Sequence, residues 1–319
     1  MHAVLQSLQA IGLIPVVKLS DPGKALPLMK ALTAGGIPTA EITFRAEGAE
    51  KAIAAIAEAM PDALVGAGTV ITPAQADAAL KAGAKYIVTP GFDREIIEWC
   101  AARNVPILPG CSSATDVQLA ARLGLSAVKF FPAEAAGGIP MLKALSGPFA
   151  SMRFVPTGGI GPGNLRDYLA LPGVLACGGS WMAPSPLLEA GDWEAIEALA
   201  DEAVRAMLHM RLVHVGVNCR PNEADDTARL FSRMLGARPD ETAVSYFVGK
   251  EIEVMKDIGR GDMGHLAFSV TDVDRAERYF ASKGFAFDPA SRKVDAAGHT
   301  TFLYFKEPAG GFAVHLVRE

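Results

Sequence analysis

The segment "SAVKFFPAEAAGG" (126–138) sets one lysine, Lys129, inside an apolar run that ends at a proline. A buried ammonium is costly, and desolvation drives a lysine toward its neutral, nucleophilic amine. A strand lysine can also pack its stem and send its head to solvent. The surrounding pattern decides between these readings. Short apolar runs alternate with alanine-rich amphipathic stretches. The runs are "IPVVKL" (14–19), "AEITFR" (40–45), "ALVGAGT" (63–69), "KYIVTPG" (85–91), "VPILPG" (105–110), "AVKFFP" (127–132), "RFVPTGG" (153–159) and "VLACGGS" (174–180). Eight strand–helix units of this size predict an α/β fold, a (β/α)8 TIM barrel. The Gly, Pro, Thr and Ser residues that end the strands would then gather on the C-terminal face, where barrels carry their active sites. An open doubly wound sheet is the alternative reading of the same alternation.

The chain has 319 residues, half of them hydrophobic, and a net charge of −5. That length suggests two domains. A mildly acidic chain without basic runs argues against a nucleic-acid or acidic-membrane partner. The four cysteines, Cys100, Cys111, Cys177 and Cys219, form no CxxC pair, so they read as free thiols of a reducing compartment. The first residues lack a basic, then long apolar, leader, and no run is long enough to span a membrane. The expectation is a cytoplasmic, soluble protein.

After a helix-like stretch, "DWEAIEALADEAVRAML", the texture changes. "RLVHVGVNC" (211–219) precedes a helix around 225–235 and the strands "AVSYFVG" and "EIEVMKD". "GHLAFSV" (264–270) restarts the pattern, followed by the helix "DVDRAERYFASKG" and the strands "TTFLYFK" and "FAVHLVR". "HVGVNC" matches "HLAFSV", and "IEVMK" matches "VHLVR". This reads as an internal repeat, a C-terminal α+β domain of two βαβββ modules. The expected domains are 1–208 and 209–319.

The strand ends of the first half carry chemistry. Glu41, Thr43 and Arg45 of "EITFR" fall on one strand face by alternation. A guanidinium there suits a planar carboxylate. Lys129 supplies an amine that attacks a ketone, and Glu41 can move protons between substrate and water. Thr69 ends the third strand. Gly158 and Gly159 of "PTGGI", with Gly178 and Gly179 of "CGGS", offer backbone amides where barrels commonly hold phosphate. Taken singly, Gly-Gly pairs are also tight turns and Glu41–Arg45 a structural ion pair. Together they point to Schiff-base carbonyl chemistry.

"EITFR", "GAGTV", "TPG", "VKFFPAE", "PTGGI" and "GGSW" stand in the order and spacing of the bacterial KDPG/KHG aldolases, and residues 1–208 resemble that family. The resemblance implies a class I aldolase that cleaves 2-dehydro-3-deoxy-6-phosphogluconate (KDPG) or 4-hydroxy-2-oxoglutarate (KHG). It implies no cofactor for the aldol step and a homotrimer or higher homo-oligomer. By matching position, Lys129 is the Schiff-base lysine and Glu41 the acid/base. Arg45 and Thr69 resemble the pyruvyl carboxylate site, with Pro90 and Phe131 lining the pocket. Thr157 matches the aldehyde end, and Ser180 with Gly158, Gly159, Gly178 and Gly179 the phosphate end. "GCSSATD" (110–116) departs from the family pattern, which bears on a small polar contact.

The doubled second half resembles the vicinal oxygen chelate superfamily, which includes glyoxalase I. Its metal-ligand positions fall here on His214, Glu253, His265 and His315, and three of the six histidines occupy them. The last position usually holds Glu, so His315 lowers the ligand charge. Four N/O donors suit Zn, Mn, Fe, Co or Ni. The alternative is a structural or oligomerising module. Three functions follow: an aldolase with an added domain, a bifunctional enzyme whose second half does metal-dependent chemistry, or a non-catalytic oxoacid sensor. The intact Lys129, Glu41 and Arg45 argue against the sensor.

Overall fold

Strands and helices alternate through the first part of the chain because each apolar run is short and flanked by helix-start signals. Thr72, Asp93 and Ser113 cap the helices Pro73–Lys81, Arg94–Ala101 and Ala114–Arg122 through their side-chain oxygens, satisfying first-turn amides that otherwise lack partners. The computed structural model describes residues 1–319 except Pro221. It divides into two units, Met1–Met207 and Leu208–Glu319.

In the first unit the strands are β1 (Leu13–Val17), β2 (Thr39–Thr43), β3 (Leu64–Gly68), β4 (Tyr86–Val88), β5 (Ile107–Leu108), β6 (Gly110–Cys111), β7 (Ala127–Phe130), β8 (Arg153–Pro156) and β9 (Cys177–Gly179). All pair in parallel, in the orders β5-β4-β3-β2-β1-β9 and β6-β7-β8. The expected fifth strand is thus two pieces. Pro109 divides them, because it has no N–H for the ladder; its carbonyl still accepts from the Lys129 amide at 2.9 Å. The two sheets meet again at a bridge between Thr157 and Gly178. This is the parallel strand arrangement of a TIM barrel. Ile14, Tyr86, Val88, Leu108, Ala127, Val155 and Ala176 share one buried cluster with Leu5 and Leu8 of the helix Ala3–Ile11. That apolar floor leaves the opposite, C-terminal end for polar groups.

The second unit holds β10 (Arg211–Val217), β11 (Pro239–Glu241), β12 (Ser245–Val248), β13 (Ile252–Met255), β14 (Gly264–Val270), β15 (Phe287–Val294), β16 (Thr300–Phe305) and β17 (Phe312–Arg318). They form one mixed sheet, ordered β11-β12-β13-β10-β14-β17-β16-β15. Helices Ala224–Leu235 and Val273–Ser282 follow β10 and β14. In each half the first strand lies parallel to the last, and the two first strands pair antiparallel at the centre. The two strands of the expected βαβββ modules to which the sequence pattern assigns no residues, β11 and β15, are the two edges. They are largely exposed and each contains a proline, so they lack the apolar alternation that marks a half-buried strand. Among the described residues no helix is long and apolar enough to cross a membrane. The four cysteines are buried and form no disulfide.

Candidate functional sites

In the barrel, Lys129 and Glu41 meet across the sheet. Lys129 Nζ lies 3.2 Å from Glu41 Oε1, and the two side chains are 7% and 4% exposed. Each is the third residue of its strand, so alternation points both inward, above Tyr86. Tyr86 is fully buried, and its hydroxyl lies 3.2 Å from Thr39 Oγ1; burial pushes it far above the usual phenol range, so it stays a neutral floor. The seat of Glu41 is made by a missing side chain. A β-carbon at Gly68 would stand 2.3 Å from Glu41 Oε1. The Lys129 ammonium also lies 5.2 Å from the centre of the Phe131 ring, within reach of a cation–π attraction.

The remaining barrel residues occupy the strand ends of the same face. Arg45 sits in the turn just past β2 rather than in the strand. It keeps to the Thr43 side because its Nε donates to Thr43 Oγ1 at 3.4 Å, while that hydroxyl donates to the Val17 carbonyl at 2.9 Å. Thr69 follows β3 with φ 54, a left-handed backbone that turns the chain sharply. Pro90 follows β4, and its carbonyl would lie 2.1 Å from a β-carbon on Gly110, the register partner of Lys129. Thr157 is 6% exposed, and a β-carbon on Gly178 would strike its Oγ1 at 2.3 Å. Gly158 and Gly159 both have positive φ, 99 and 81. Gly179 is buried and Ser180 exposed at the rim. Direct contact thus joins Lys129, Glu41 and Phe131, and joins Thr157 with Gly178; Arg45, Thr69, Pro90 and Ser180 stand around them at the strand ends. In "GCSSATD", Ser113 and Asp116 form a capping box, and the Asp116 carboxylate also accepts from the Ser112 amide. The departure from the family pattern therefore serves a helix start.

In the second unit His214, Glu253, His265 and His315 converge on one side of the central strands. His265 Nε2 lies 3.0 Å from Glu253 Oε2, and His214 Nε2 lies 3.3 Å from the same oxygen and 3.1 Å from His265 Nε2. One nitrogen from each of His214, His265 and His315 falls within 4.8 Å of the others. The register explains the convergence. Gly216 stands opposite both His265 and Glu253, and a β-carbon there would lie 2.1 Å from the His265 ring. Burial opposes the Glu253 charge, but hydrogen bonds from His214, His265 and Ser245 hold its carboxyl well below the usual range. Burial, then the charges of His265 and His214, push His315 down to about 3. Its Nδ1 is buried with no hydrogen-bond partner. Three imidazoles with a nitrogen each inside 4.8 Å, beside a carboxylate, are a donor set that fits a divalent metal. Gly216 and the aromatic walls around His315 were not legible as site residues in the sequence; only the cross-strand register reveals them.

Comparison with known proteins bears on the first unit. Residues 4–199 match the family of KDPG and KHG aldolases. The 2-dehydro-3-deoxy-phosphogluconate aldolase of Treponema pallidum is 47% identical over 205 residues, 64% of this chain and 98% of that protein. The KHG/KDPG aldolase of Escherichia coli is 47% identical over 60% of this chain and 90% of its own. Among solved structures, the KDPG aldolase of Legionella pneumophila, holding pyruvate as a covalent carbinolamine, is 41% identical with a TM-score of 0.61; the match covers 62% of this chain and 97% of that one.

Proposed function

The chain belongs to the family of KDPG and KHG aldolases and is a class I, Schiff-base lyase, and from that premise we propose that Lys129 and Glu41 carry its chemistry within a domain spanning 1–208. The observation that carries the assignment is the buried 3.2 Å pair of Lys129 Nζ and Glu41 Oε1. A carboxylate at that distance can take the lysine's proton and free the amine to attack.

The steps then balance on these two groups. The Lys129 amine adds to the C2 ketone; Glu41 then gives the proton it took to the carbinolamine hydroxyl, which leaves as water, so that an iminium and a carboxylate remain. The C3–C4 electron pair flows into the iminium, leaving an enamine. The C4 hydroxyl proton passes to Glu41, directly or through one water, and the aldehyde departs. Glu41 returns a proton to C3, and water hydrolyses the iminium to pyruvate and free lysine. Arg45 and Thr69 hold the substrate carboxylate, Pro90 and Phe131 wall the reacting carbons, and Thr157 meets the aldehyde end. Ser180 and the amides of Gly158, Gly159, Gly178 and Gly179 receive a phosphate when the substrate has one. The test compares KDPG and KHG cleavage by wild type and Lys129→Ala in the presence of chelator, with borohydride trapping of pyruvate. Lysine-dependent cleavage that survives chelation supports the assignment. Cleavage or trapping that persists in Lys129→Ala refutes it. If KHG alone is cut, the phosphate role of Ser180 and the glycine amides fails.

A second reading concerns 209–319. The doubled βαβββ order, with its cluster at the central strands, supports a vicinal-oxygen-chelate-type domain in which His214, Glu253, His265 and His315 hold a divalent metal. The gathering of one nitrogen from each of His214, His265 and His315 within 4.8 Å is the observation that favours it. A bound divalent metal supplies Lewis-acid polarisation of a ligand oxygen. The residues hold and orient it: Glu253 accepts from two imidazoles, and Gly216 leaves the room that seats His265. Metal content of protein purified without chelator, against a His214→Ala/His265→Ala variant, tests this reading. Stoichiometric metal lost in the variant supports it; none in either protein after divalent-metal supplementation overturns it.

A further inference from the structure

The cluster opens into a cavity of about 490 Å³ whose wall carries more than metal donors. Arg260, Arg292 and Lys293 also line it. The Arg260 guanidinium lies 4.6 Å over the Tyr304 ring, and Lys293 Nζ lies 4.9 Å over the Phe302 ring. Those two rings flank His315, with centroids 5.0 and 4.4 Å from it. A cation therefore stands beyond each aromatic wall of the innermost histidine. The carboxylates that pair with the arginines, Asp288 with Arg260 and Glu277 with Arg292, each at 2.6 Å, and Asp274 with Arg292 at 3.7 Å, lie outside the lining. The lining's own carboxylate is Glu253, already engaged by His214 and His265. The arginines are thus ion-paired from behind, and the face they and Lys293 turn to the cavity is one of hydrogen-bond donors and positive charge beside a single committed carboxylate, which suits an anion.

We propose that this cavity binds a small dicarboxylic 2-oxo acid. One carboxylate meets Arg260 and Lys293, the carbon chain lies along Phe302 and Tyr304, and the 2-oxo acid end faces the histidine cluster. The aromatic walls call for a carbon body, which inorganic phosphate lacks, and the space far exceeds a lone anion. Adjacent oxygens on a 2-oxo acid suit a hard-to-borderline cation held by nitrogen and carboxylate donors; that end of the proposal rests on the metal reading above.

The experiment uses the full chain carrying Lys129→Ala, so that the barrel cannot capture oxo acids covalently. Co²⁺ is titrated first and followed by its visible absorption. Then 2-oxoglutarate, glutarate and inorganic phosphate are titrated calorimetrically, with and without Co²⁺. The same titrations are run with Arg260→Gln and Lys293→Gln added. We expect one 2-oxoglutarate per chain, a changed Co²⁺ spectrum on binding, and glutarate and phosphate each weaker by about tenfold or more. The double substitution weakens 2-oxoglutarate by about tenfold and leaves Co²⁺ affinity unchanged, which also reports an intact cluster. Glutarate or phosphate binding as tightly as 2-oxoglutarate overturns the proposal, as does a double variant that binds 2-oxoglutarate like its parent. If Co²⁺ fails to bind, the metal reading falls by itself. In that case 2-oxoglutarate binding to the metal-free protein, lost on Arg260→Gln/Lys293→Gln, still supports the carboxylate site, and no binding overturns it.

Discussion

Replacing Gly68 by alanine would test the seat of Glu41, the proposed acid/base group of the barrel. Gly68 ends β3 opposite Thr43, and its absent β-carbon would lie 2.3 Å from Glu41 Oε1, 2.5 Å from Cγ and 2.7 Å from Cδ. Its backbone lies outside the left-handed region, so alanine fits the main chain and the clash falls on the Glu41 side chain. Ordinary contact begins near 3.4 Å, so the carboxylate must move by about 1 Å. Such a shift lengthens or breaks its 3.2 Å contact with Lys129. A misplacement of about 1 Å in a reacting group costs roughly 100-fold in rate, or about 2.7 kcal/mol on the barrier. Overpacking costs a further 1–3 kcal/mol or so of stability. The assay is pyruvate release from KDPG, coupled to NADH oxidation, with borohydride trapping of pyruvate run beside it. The expected result is a kcat about 100-fold down with Lys129 still trapped, more slowly, in a protein that melts a few degrees lower. A Gly68→Ala enzyme with wild-type kcat would show that Glu41 need not stand where it does, and the acid/base assignment would fall.

Other substitutions separate the two units. Lys129→Ala strands a buried Glu41 carboxylate, so denaturant melts should show a loss of about 3–5 kcal/mol; Lys129→Met with Glu41→Gln should recover most of it. Gly178→Ala pushes a β-carbon to 2.3 Å from Thr157 Oγ1 and should lower kcat/KM for KDPG while borohydride trapping of pyruvate is unchanged. Gly216→Ala drives a β-carbon into the His265 ring; atomic absorption should show metal lost while KDPG cleavage stays at the wild-type rate. Burial opposes the Glu319 charge, but hydrogen bonds and charges from His209 and Arg211 hold its carboxyl below the usual range. That stability is present above the unfolded pKa and is lost as pH falls through the folded value. The gap in melting temperature between wild type and Glu319→Gln should therefore narrow as pH is lowered from 7 toward 3; a constant gap would refute the coupling.

Much of the barrel was legible because its signals are local. Each apolar run with a small or turn-forming end marks one parallel strand, and "VKFFP" marks the lysine among them. Arg45 slipped from strand to turn because alternation continues on paper past the last paired residue, Thr43. The break at Pro109 is visible as a proline, yet whether a strand resumes after it depends on pairing with β7, which no local pattern encodes. The βαβββ order implies the edge strands β11 and β15 without locating them, for the same reason: exposed pairing leaves no hydrophobic period. The four candidate metal donors came from repeat position, but their convergence depends on register. Gly216 lies opposite Glu253, His214 opposite Ala267, and Ala267 opposite His315, so alternate residues on four neighbouring strands reach one face.

Both units build their sites by one physical device. A functional side chain on one strand occupies the space that a β-carbon would fill on its neighbour: Gly68 for Glu41, Gly178 for Thr157, Gly216 for His265. Close-packed interiors leave no spare room, so such a glycine fixes the side chain's position as firmly as a hydrogen bond does. A glycine inside a strand also weakens it, and that cost is accepted here on the strands that neighbour the polar groups. The apolar floor under Lys129 has the opposite composition, with Tyr86, Leu108 and Val155 filling the axis. Rigid packing below and carved seats above are what let a charged pair stand in a barrel core with few degrees of freedom. The consequence is directional: enlarging a seat glycine should damage chemistry before stability, whereas truncating Tyr86 or Leu108 to alanine should cost about 2–5 kcal/mol of stability first. Activity lost with no change in melting at Leu108→Ala would contradict that division.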